Sequence, residues 1–401
     1  MAFVPTMTFE QARACVVQQV SAARQRPAME DAGLESLAGR VMAEDVTAER
    51  DIPALARSVR DGFAVHAADV PGTLEIIGEV RAGGRFDGAV ARGQAVEIMT
   101  GAPMPRGADA VVMVEHVTRE NPGKLHTDRA AEAGQFVNPQ GCEARAGEIL
   151  IPAGKRLSYP DVALLAATGR ERVPVFVQPS VAILATGDEI VPVNETPQAH
   201  QIRNSNAYSL AAQVARAGGR PRMLPVARDE YAHTREWVEA GLSCDLLLIS
   251  GGVSAGKYDI VERVLADCGA EFFFDRVLIQ PGQPLVFGRA RGKFFFGLPG
   301  NPASTMVTFE IFARAALELL GGQCETALPF IQATLTQDFR HRTGITRFLP
   351  ARLGPGPGEL TPLRWSGSGD VPALSRANAY LVAAADRAEW KAGENIHALL
   401  Q

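Results

Sequence analysis

The stretch Ser250-Gly-Gly-Val-Ser-Ala-Gly-Lys-Tyr-Asp259, SGGVSAGKYD, decides the fold. An apolar run, Asp245-Leu-Leu-Leu-Ile249, comes before it, and a helical pattern, Ile260-Val-Glu-Arg-Val-Leu-Ala266, comes after. A continuous apolar run feeding a glycine-rich turn and then a helix is how a buried parallel strand announces itself. The turn lacks the G-x-x-x-x-G-K-[ST] order of a P-loop, and it ends on an aspartate.

The same alternation extends outward from about Pro179 to Gly322. A strand expected at Val181–Ala185 precedes a helix at Asn206–Ala217, and a strand at Met223–Val226 precedes a helix at Tyr231–Leu242. The strand at Asp245–Ile249 leads to the helix Ile260–Cys268. Two further apolar runs, Glu271–Ile279 and Phe294–Leu298, lead to a long helix from Pro302. Strands alternating with amphipathic helices predict a doubly wound α/β domain, mostly parallel and covered on both faces. The stripe Phe309, Phe312, Ala313, Ala316, Leu317 and Leu320 reads as core packing on that last helix.

On either side the texture changes. Residues 8–24 carry Phe9, Ala12, Val16, Val17 and Val20 at helical spacing. Between about Asp51 and Asn138, glycines and prolines punctuate short alternating runs, the mark of a small β module. The tail after Leu328 is strand-like again, with a turn at Gly354-Pro-Gly-Pro-Gly358. The expected organisation is a helical or mixed N-terminal domain from 1–50 and 139–178, for linkage and dimerisation. An inserted β module (51–138), the α/β domain (179–326) and a C-terminal β domain (327–401) complete it.

Composition sets outer limits. The chain has 401 residues, 46% apolar and 21% charged, as in ordinary globular proteins. Net charge is −5 and the pI about 5.9, with no basic run of the kind nucleic-acid-coating proteins carry. The five cysteines are scattered without a C-x-x-C pair, which argues against a disulfide framework or zinc ribbon and suits a reducing cytoplasm. The first residues do not read as a signal peptide, and no apolar run approaches the ~20 residues of a membrane helix.

In an open parallel sheet, ligands bind beyond the carboxyl ends of the strands. Four loops fall there: Thr186-Gly-Asp-Glu189, Arg228-Asp-Glu230, the turn 250–259, and Leu298-Pro-Gly-Asn-Pro-Ala-Ser304. Gly251, Gly252 and Gly256 let main-chain N–H groups converge on an anion. Asn301 is placed to cap the helix that Pro302 starts, whose free N–H groups would attract a phosphate. Asp188, Glu189, Asp229 and Asp259 bring carboxylates to the same rim. Carboxylates beside a phosphate repel it unless a cation intervenes, and magnesium, which prefers oxygen ligands, would reconcile them. In the β module, Arg57-Ser-Val-Arg-Asp-Gly-Phe-Ala-Val65 and the loop Glu97–Asp109 are candidate site loops.

These residues, taken in order, resemble the molybdopterin molybdenumtransferases, the MoeA and gephyrin E-domain family. The motifs are LAGRVMAEDV (37–46), RSVRDGFAV (57–65), MTGAPMPRGADAVVMVE (99–115), ATGDEIV (185–191), IRNSN (202–206), SGGVSAGKYD (250–259), QPGQPLVFG (280–288), FFGLPGNPASTMVTFE (295–310) and GSGDVPALSRAN (367–378). The resemblance implies insertion of molybdate into adenylylated molybdopterin, with hydrolysis of the pyrophosphate bond, release of AMP and help from Mg2+ or a similar ion. It implies a homodimer, with the adenylyltransferase and molybdoenzyme chaperones as possible partners. It assigns Asp61, Thr100, Glu189, Asp229 and Asp259 to the chemistry, with Asp259 and Glu189 on the metal and Asp61 and Thr100 contributed by the partner's β module. Substrate contacts fall to Asp188, Ser205, Asn206, Gly251, Gly252, Ser254, Gly256, Pro299, Gly300, Asn301, Pro302 and Ser368.

The chain departs from the family where many members have lysines in KPGKP, an acidic pair in GED, and an arginine in the C-terminal domain. Here stand Gln280 and Gln283, Cys142 before Glu143, and Pro350. Arg57, Arg60, Lys257, Arg276 and Arg347 are the cations available to replace that lost charge. The competing reading is a non-catalytic pterin carrier or scaffold of the gephyrin type.

Overall fold

The computed structural model describes residues 6–121, 123–252, 260–356 and 358–401. The chain forms two compact units. One comprises Met1–Ala43, Gly154–Val162 and Glu171–Gln401, the other Glu44–Ala153 and Ala163–Arg170.

The first unit is centred on a six-stranded sheet. Its strands are β1 (Ser180–Ala185), β2 (Arg220–Met223), β3 (Leu246–Ser250), β4 (Glu271–Arg276), β5 (Pro284–Ala290) and β6 (Lys293–Leu298), in spatial order β2-β1-β3-β6-β5-β4. The first three pairings are parallel and the last two antiparallel. Every residue of β3 is buried, which is why its sequence is an unbroken apolar run rather than an alternating one. Strand β2 lies at Arg220–Met223, before the apolar segment Met223–Val226 that the pattern favours. It is an edge strand with all four residues exposed, so it carries a polar RPRM sequence with a proline and no hydrophobic signature.

Helices cover both faces of this sheet. They are α1 (Phe9–Ala23), α2 (Ser205–Arg216), α3 (Tyr231–Gly241), α4 (Ile260–Asp267) and α5 (Pro302–Thr308). Thr8 and Gln11 close α1 with a reciprocal capping box. Helix α5 runs on through a π-helical turn, Phe309–Ala313, into Arg314–Leu320. The stripe Phe309, Phe312, Ala316 and Leu317 packs with Phe274, Phe287 and Phe296 in the larger core cluster. On the opposite face Leu184, Leu247 and Ile249 pack with Val238, Val264 and Leu265.

The C-terminal segment of this unit closes on itself. Strands Phe330–Leu335, Thr346–Leu353, Glu359–Pro362, Ala379–Ala383 and Asn395–Leu400 form a ring, because Thr346–Leu353 pairs with both Glu359–Pro362 and Ala379–Ala383. Parallel pairing of Ile279–Gln280 to Thr346–Arg347 joins the ring to the segment between β4 and β5. In the second unit six short strands form one sheet, centred on Gly62–Val65, Gln94–Ile98 and Gly72–Val80. Gly62 must be glycine, since a Cβ there would strike the Val112 carbonyl of the neighbouring strand.

A polar clamp fixes the N-terminal ends of the central strands. The Asp245 carboxylate accepts the Ser180 N–H at 2.9 Å and its hydroxyl at 2.7 Å, and pairs with Lys293 at 3.1 Å. Burial pushes its carboxyl up, but the Ser180 donors and Lys293 outweigh that and hold it below the usual range. A depressed folded pKa adds stability above the unfolded value, about 4, which is lost as pH falls through the folded one. Asp245→Asn is therefore expected to lower urea-unfolding stability by about 1 kcal/mol at pH 7, discounted for its half-exposed position. The difference from wild type should shrink below about pH 4.

Candidate active site

The carboxyl ends of β1, β3 and β6 meet at one place. The Thr186 N–H donates to the Ser250 carbonyl at 3.0 Å, and the Gly251 N–H to the Leu298 carbonyl at 3.2 Å. Gly251 and Gly252 adopt φ of +92° and +63°, where side-chain-bearing residues are strained. A Cβ on Gly251 would lie 2.7 Å from the Thr186 carbonyl oxygen, and one on Gly252 2.7 Å from Thr186 Oγ1 and 2.8 Å from Val261 Cγ2. From β6 the loop Pro299-Gly-Asn301 approaches so closely that a Cβ on Gly300 would be 3.6 Å from Gly251 Cα.

Asn206, in the first turn of α2, ties these loops together. Its Nδ2 donates to Ser250 Oγ and to the Gly300 carbonyl, both at 2.8 Å. Asn204 caps the helix by accepting the Ala207 N–H at 3.1 Å, so α2 begins at Ser205. Thr186, Glu189, Asn206, Ser250, Gly251 and Asn301 are among the residues lining a cavity of about 270 Å³. Ser205, Gly300 and Pro302 line it too.

The start of α5 is built differently from the simple anion cap its sequence suggests. Asn301 occupies the cap position, but its side chain makes no capping hydrogen bond. Pro302 has no N–H, and the Ala303 N–H donates to the Ser368 carbonyl at 2.9 Å. Of the first three helical positions, only Ser304 keeps an N–H without a main-chain acceptor among the described residues. Thr305 anchors the loop from below, its hydroxyl donating to the carbonyls of Pro299 (2.5 Å) and Asn301 (3.0 Å). Ser368 belongs to a turn that Asp370 clasps, accepting the N–H groups of Ser366 and Ala373.

Carboxylates crowd the rim. Asp188 Oδ1 accepts the Asp229 N–H at 3.2 Å. Partial burial, then the charges of Asp188 and Glu189, push the Asp229 carboxyl above its usual range. Carboxylates offer the hard oxygen atoms that a divalent ion such as Mg2+ prefers. Among the described residues no three carboxylate, histidine or cysteine side chains are arranged to hold a metal by themselves. Ser254, Gly256, Lys257 and Asp259 lie outside the described residues.

In the second unit, Asp61 and Thr100 come together. Asp61 Oδ1 accepts the Thr100 N–H at 2.6 Å and its hydroxyl at 2.7 Å. Those two donors, the N–H first, hold the exposed Asp61 carboxyl below the usual range. Of the candidate replacement cations, Arg347 stands beside Gln280 in the register, and its Nε is buried without a partner among the described residues. Thr186 is the site residue that sequence reasoning overlooked. Its motif, Thr186-Gly-Asp-Glu189, drew attention to the acids, and a threonine at a strand end carries no signal of its own.

Fold and cleft together define a class: a multidomain protein built round an α/β domain whose strands' carboxyl ends converge on one cavity. Three family descriptions match the chain in order. They are "MoeA N-terminal region (domain I and II)" over residues 7–169, "Probable molybdopterin binding domain" over 182–319, and "MoeA C-terminal region (domain IV)" over 332–400. The molybdopterin molybdenumtransferase of Bacillus subtilis is 35% identical over 382 residues, 92% of this chain and 88% of that protein. That of Staphylococcus epidermidis is 33% identical over 377 residues, 92% and 90% of the two chains. A crystal structure of the molybdopterin biosynthesis MoeA protein of Pyrococcus horikoshii superposes with a TM-score of 0.80 at 27% identity, covering 99% of this chain and 100% of that one. The chain belongs to the molybdopterin molybdenumtransferase (MoeA) family, transferases of molybdenum-cofactor biosynthesis.

The glycine turn gives a direct test of the site's construction. Gly252→Ala must displace Thr186 and Val261 as well as accept a positive φ, and is expected to cost about 2–3 kcal/mol in urea unfolding. Gly292→Ala, at φ +78° with nothing within 4 Å of the added Cβ, is the control. It should cost only the backbone strain of about 1–2 kcal/mol.

Proposed function

We propose that this chain inserts molybdate into adenylylated molybdopterin, with hydrolysis of the pyrophosphate bond and departure of AMP. The observation that carries the reading is the cavity where the Gly251-Gly252 turn, the Pro299–Pro302 loop and Asn206 converge beneath a rim of Asp188, Glu189 and Asp229. A carrier that only held the pterin would have no use for acids gathered at a phosphate site.

In this reading the turn beginning at Gly251-Gly252, including Ser254 and Gly256, receives the phosphates on main-chain N–H groups. Ser205 and Asn206 adjoin the nucleotide, Pro299, Gly300, Asn301 and Pro302 shape the wall around the departing oxyanion, and Ser368 adjoins the pterin side. Asp259 and Glu189 would hold a divalent cation, with Asp188 and Asp229 beside it. When bound, that ion would neutralise charge on the phosphate oxygens. Asp61, kept ionised by Thr100, supplies a carboxylate to the reaction from the β module. Arg347 replaces part of the positive charge that Gln280, Gln283 and Pro350 do not provide. A homodimer is the working unit, and molybdate and the adenylylated pterin are its ligands.

The test is AMP release from adenylylated molybdopterin and Mg2+, with and without molybdate. Wild type should release AMP only when molybdate is present, and Asp259→Ala should reduce the rate at least a hundredfold, about 2.7 kcal/mol in barrier. Tight pterin binding with no AMP release in wild type would transfer the assignment to the carrier reading. Separately, Arg347→Gln should raise the molybdate concentration for half-maximal rate about tenfold, the loss of one charge-assisted hydrogen bond. An unchanged molybdate dependence would remove Arg347 from the anion site.

A further inference from the structure

The loop Arg228-Asp229-Glu230 is exposed at all three residues, yet its main chain is held at successive points. The Ala227 N–H donates to the Ala185 carbonyl at 2.8 Å, and the Ala227 carbonyl accepts the Gly187 N–H at 3.2 Å. The Arg228 N–H donates to His233 Nδ1 at 2.9 Å, and the Arg228 carbonyl accepts the Thr234 hydroxyl at 3.0 Å. The Asp229 N–H goes instead to Asp188 Oδ1. His233 and Thr234 belong to the first turn of α3 and reach back over its start, where Glu230 provides no side-chain cap. Thr234 is buried, so its hydroxyl is fixed by packing. A peptide N–H can only donate, so His233 Nδ1 carries the lone pair. The Trp237 indole N–H, 3.2 Å from Nε2, also only donates, and a neutral imidazole accepts at one nitrogen, which the shorter peptide contact takes. Trp237 then supports the ring edge-on, with the two planes at 86°. Tyr231, the first residue of α3, donates to Asp267 at the end of α4 and anchors the helix from which both side chains reach.

This brace opposes a repulsion. The charges of Asp188 and Glu189 act on Asp229, and on an exposed loop like charges move apart unless something restrains them. We propose that His233 and Thr234 are positioning residues that hold Asp229 at the rim through the Arg228 peptide groups, keeping its carboxylate beside Asp188 and Glu189 for the reaction. This inference rests on the reading above in which Asp229 stands beside the cation. Neither side chain is among those lining the cavity of about 270 Å³, so both act through the main chain of the loop and not by touching the ligand. The leverage is large, because a carboxylate displaced by about 1 Å can cost as much as a hundredfold in rate.

His233→Phe keeps a ring and removes the acceptor, whereas His233→Asn returns an amide oxygen near the place of Nδ1. Thr234→Val and Thr234→Ser make the same comparison at the hydroxyl. Each full-length protein is measured for kcat and pterin KM in AMP release, and, unliganded, for melting temperature and hydrogen exchange of the segment 226–230. His233→Phe and Thr234→Val are each expected to lower kcat about tenfold with KM within roughly twofold of wild type. His233→Asn and Thr234→Ser should recover kcat to within about threefold. Exchange of the segment should quicken about tenfold in the phenylalanine and valine variants, with the melting temperature close to wild type. In an Asp229→Ala background His233→Phe should change kcat by less than about twofold, because nothing is left to position. Unchanged kcat in both disrupting variants overturns the proposal, as does a full loss that persists without Asp229. So does an asparagine variant as slow as the phenylalanine one, or wild-type kcat in Asp229→Ala alone. A lower melting temperature with unchanged exchange at 226–230 makes the two residues parts of the fold and also overturns it. If wild type releases no AMP, the transferase reading fails by itself. The exchange comparison then decides the brace, which faster exchange in His233→Phe upholds and unchanged exchange overturns.

Discussion

The carboxamide of Asn206 makes two hydrogen bonds on which the arrangement of the cleft depends. One reaches the last residue of β3, the other the loop that leaves β6, and Asn206 itself sits in the first turn of α2. Three segments remote in sequence are thereby held to one register. Each hydrogen bond is worth about 1 kcal/mol net, but leaving the donors unmade inside the protein would cost more than making them gains. The glycines follow from the same constraint. Once β1, β3 and β6 end this close together, the residues that turn away from them have no room for a Cβ.

Electrostatics then set the character of the cleft. Asp188, Glu189 and Asp229 crowd the rim, and burial, then the charges of Asp188 and Glu189, lift the Asp229 carboxyl. The cavity is lined by main-chain groups, by neutral serine, threonine and asparagine side chains, and by Glu189 and Arg203. A negatively charged ligand approaches these carboxylates favourably only with a cation beside it. In the second unit Asp61 follows another logic. Two donors from Thr100 keep it ionised at the surface, where water and hydrogen bonds both favour the charge.

The parallel core of the fold was legible because β1, β3 and β6 are buried on both faces and must be continuously apolar. Edge positions were not. Strand β2 is exposed and polar, and carries no apolar run. Asn395–Leu400, which closes the C-terminal ring, gave too short an alternation to stand out. The acids and glycines of the cleft were visible as residue types that rarely cluster at strand ends without cause. Thr186 was not, since what marks it is its place under the Gly251-Gly252 turn, a contact that only the fold creates. The π-helical turn at Phe309–Ala313 left no trace in the apolar stripe, because one extra residue in a turn shifts the face by less than the stripe is wide.

Gly251 and Gly300 face each other across the cleft with little more than van der Waals room between their backbones. That contact means part of the inner wall is written in peptide groups rather than in side chains. Peptide groups are the same in every protein, so this surface cannot be retuned by exchanging one amino acid for another. Any drift toward a different ligand has to work through the neighbouring side chains or by moving whole strands. The site thus combines a rigid template with an adjustable border, and its evolvability is confined to that border.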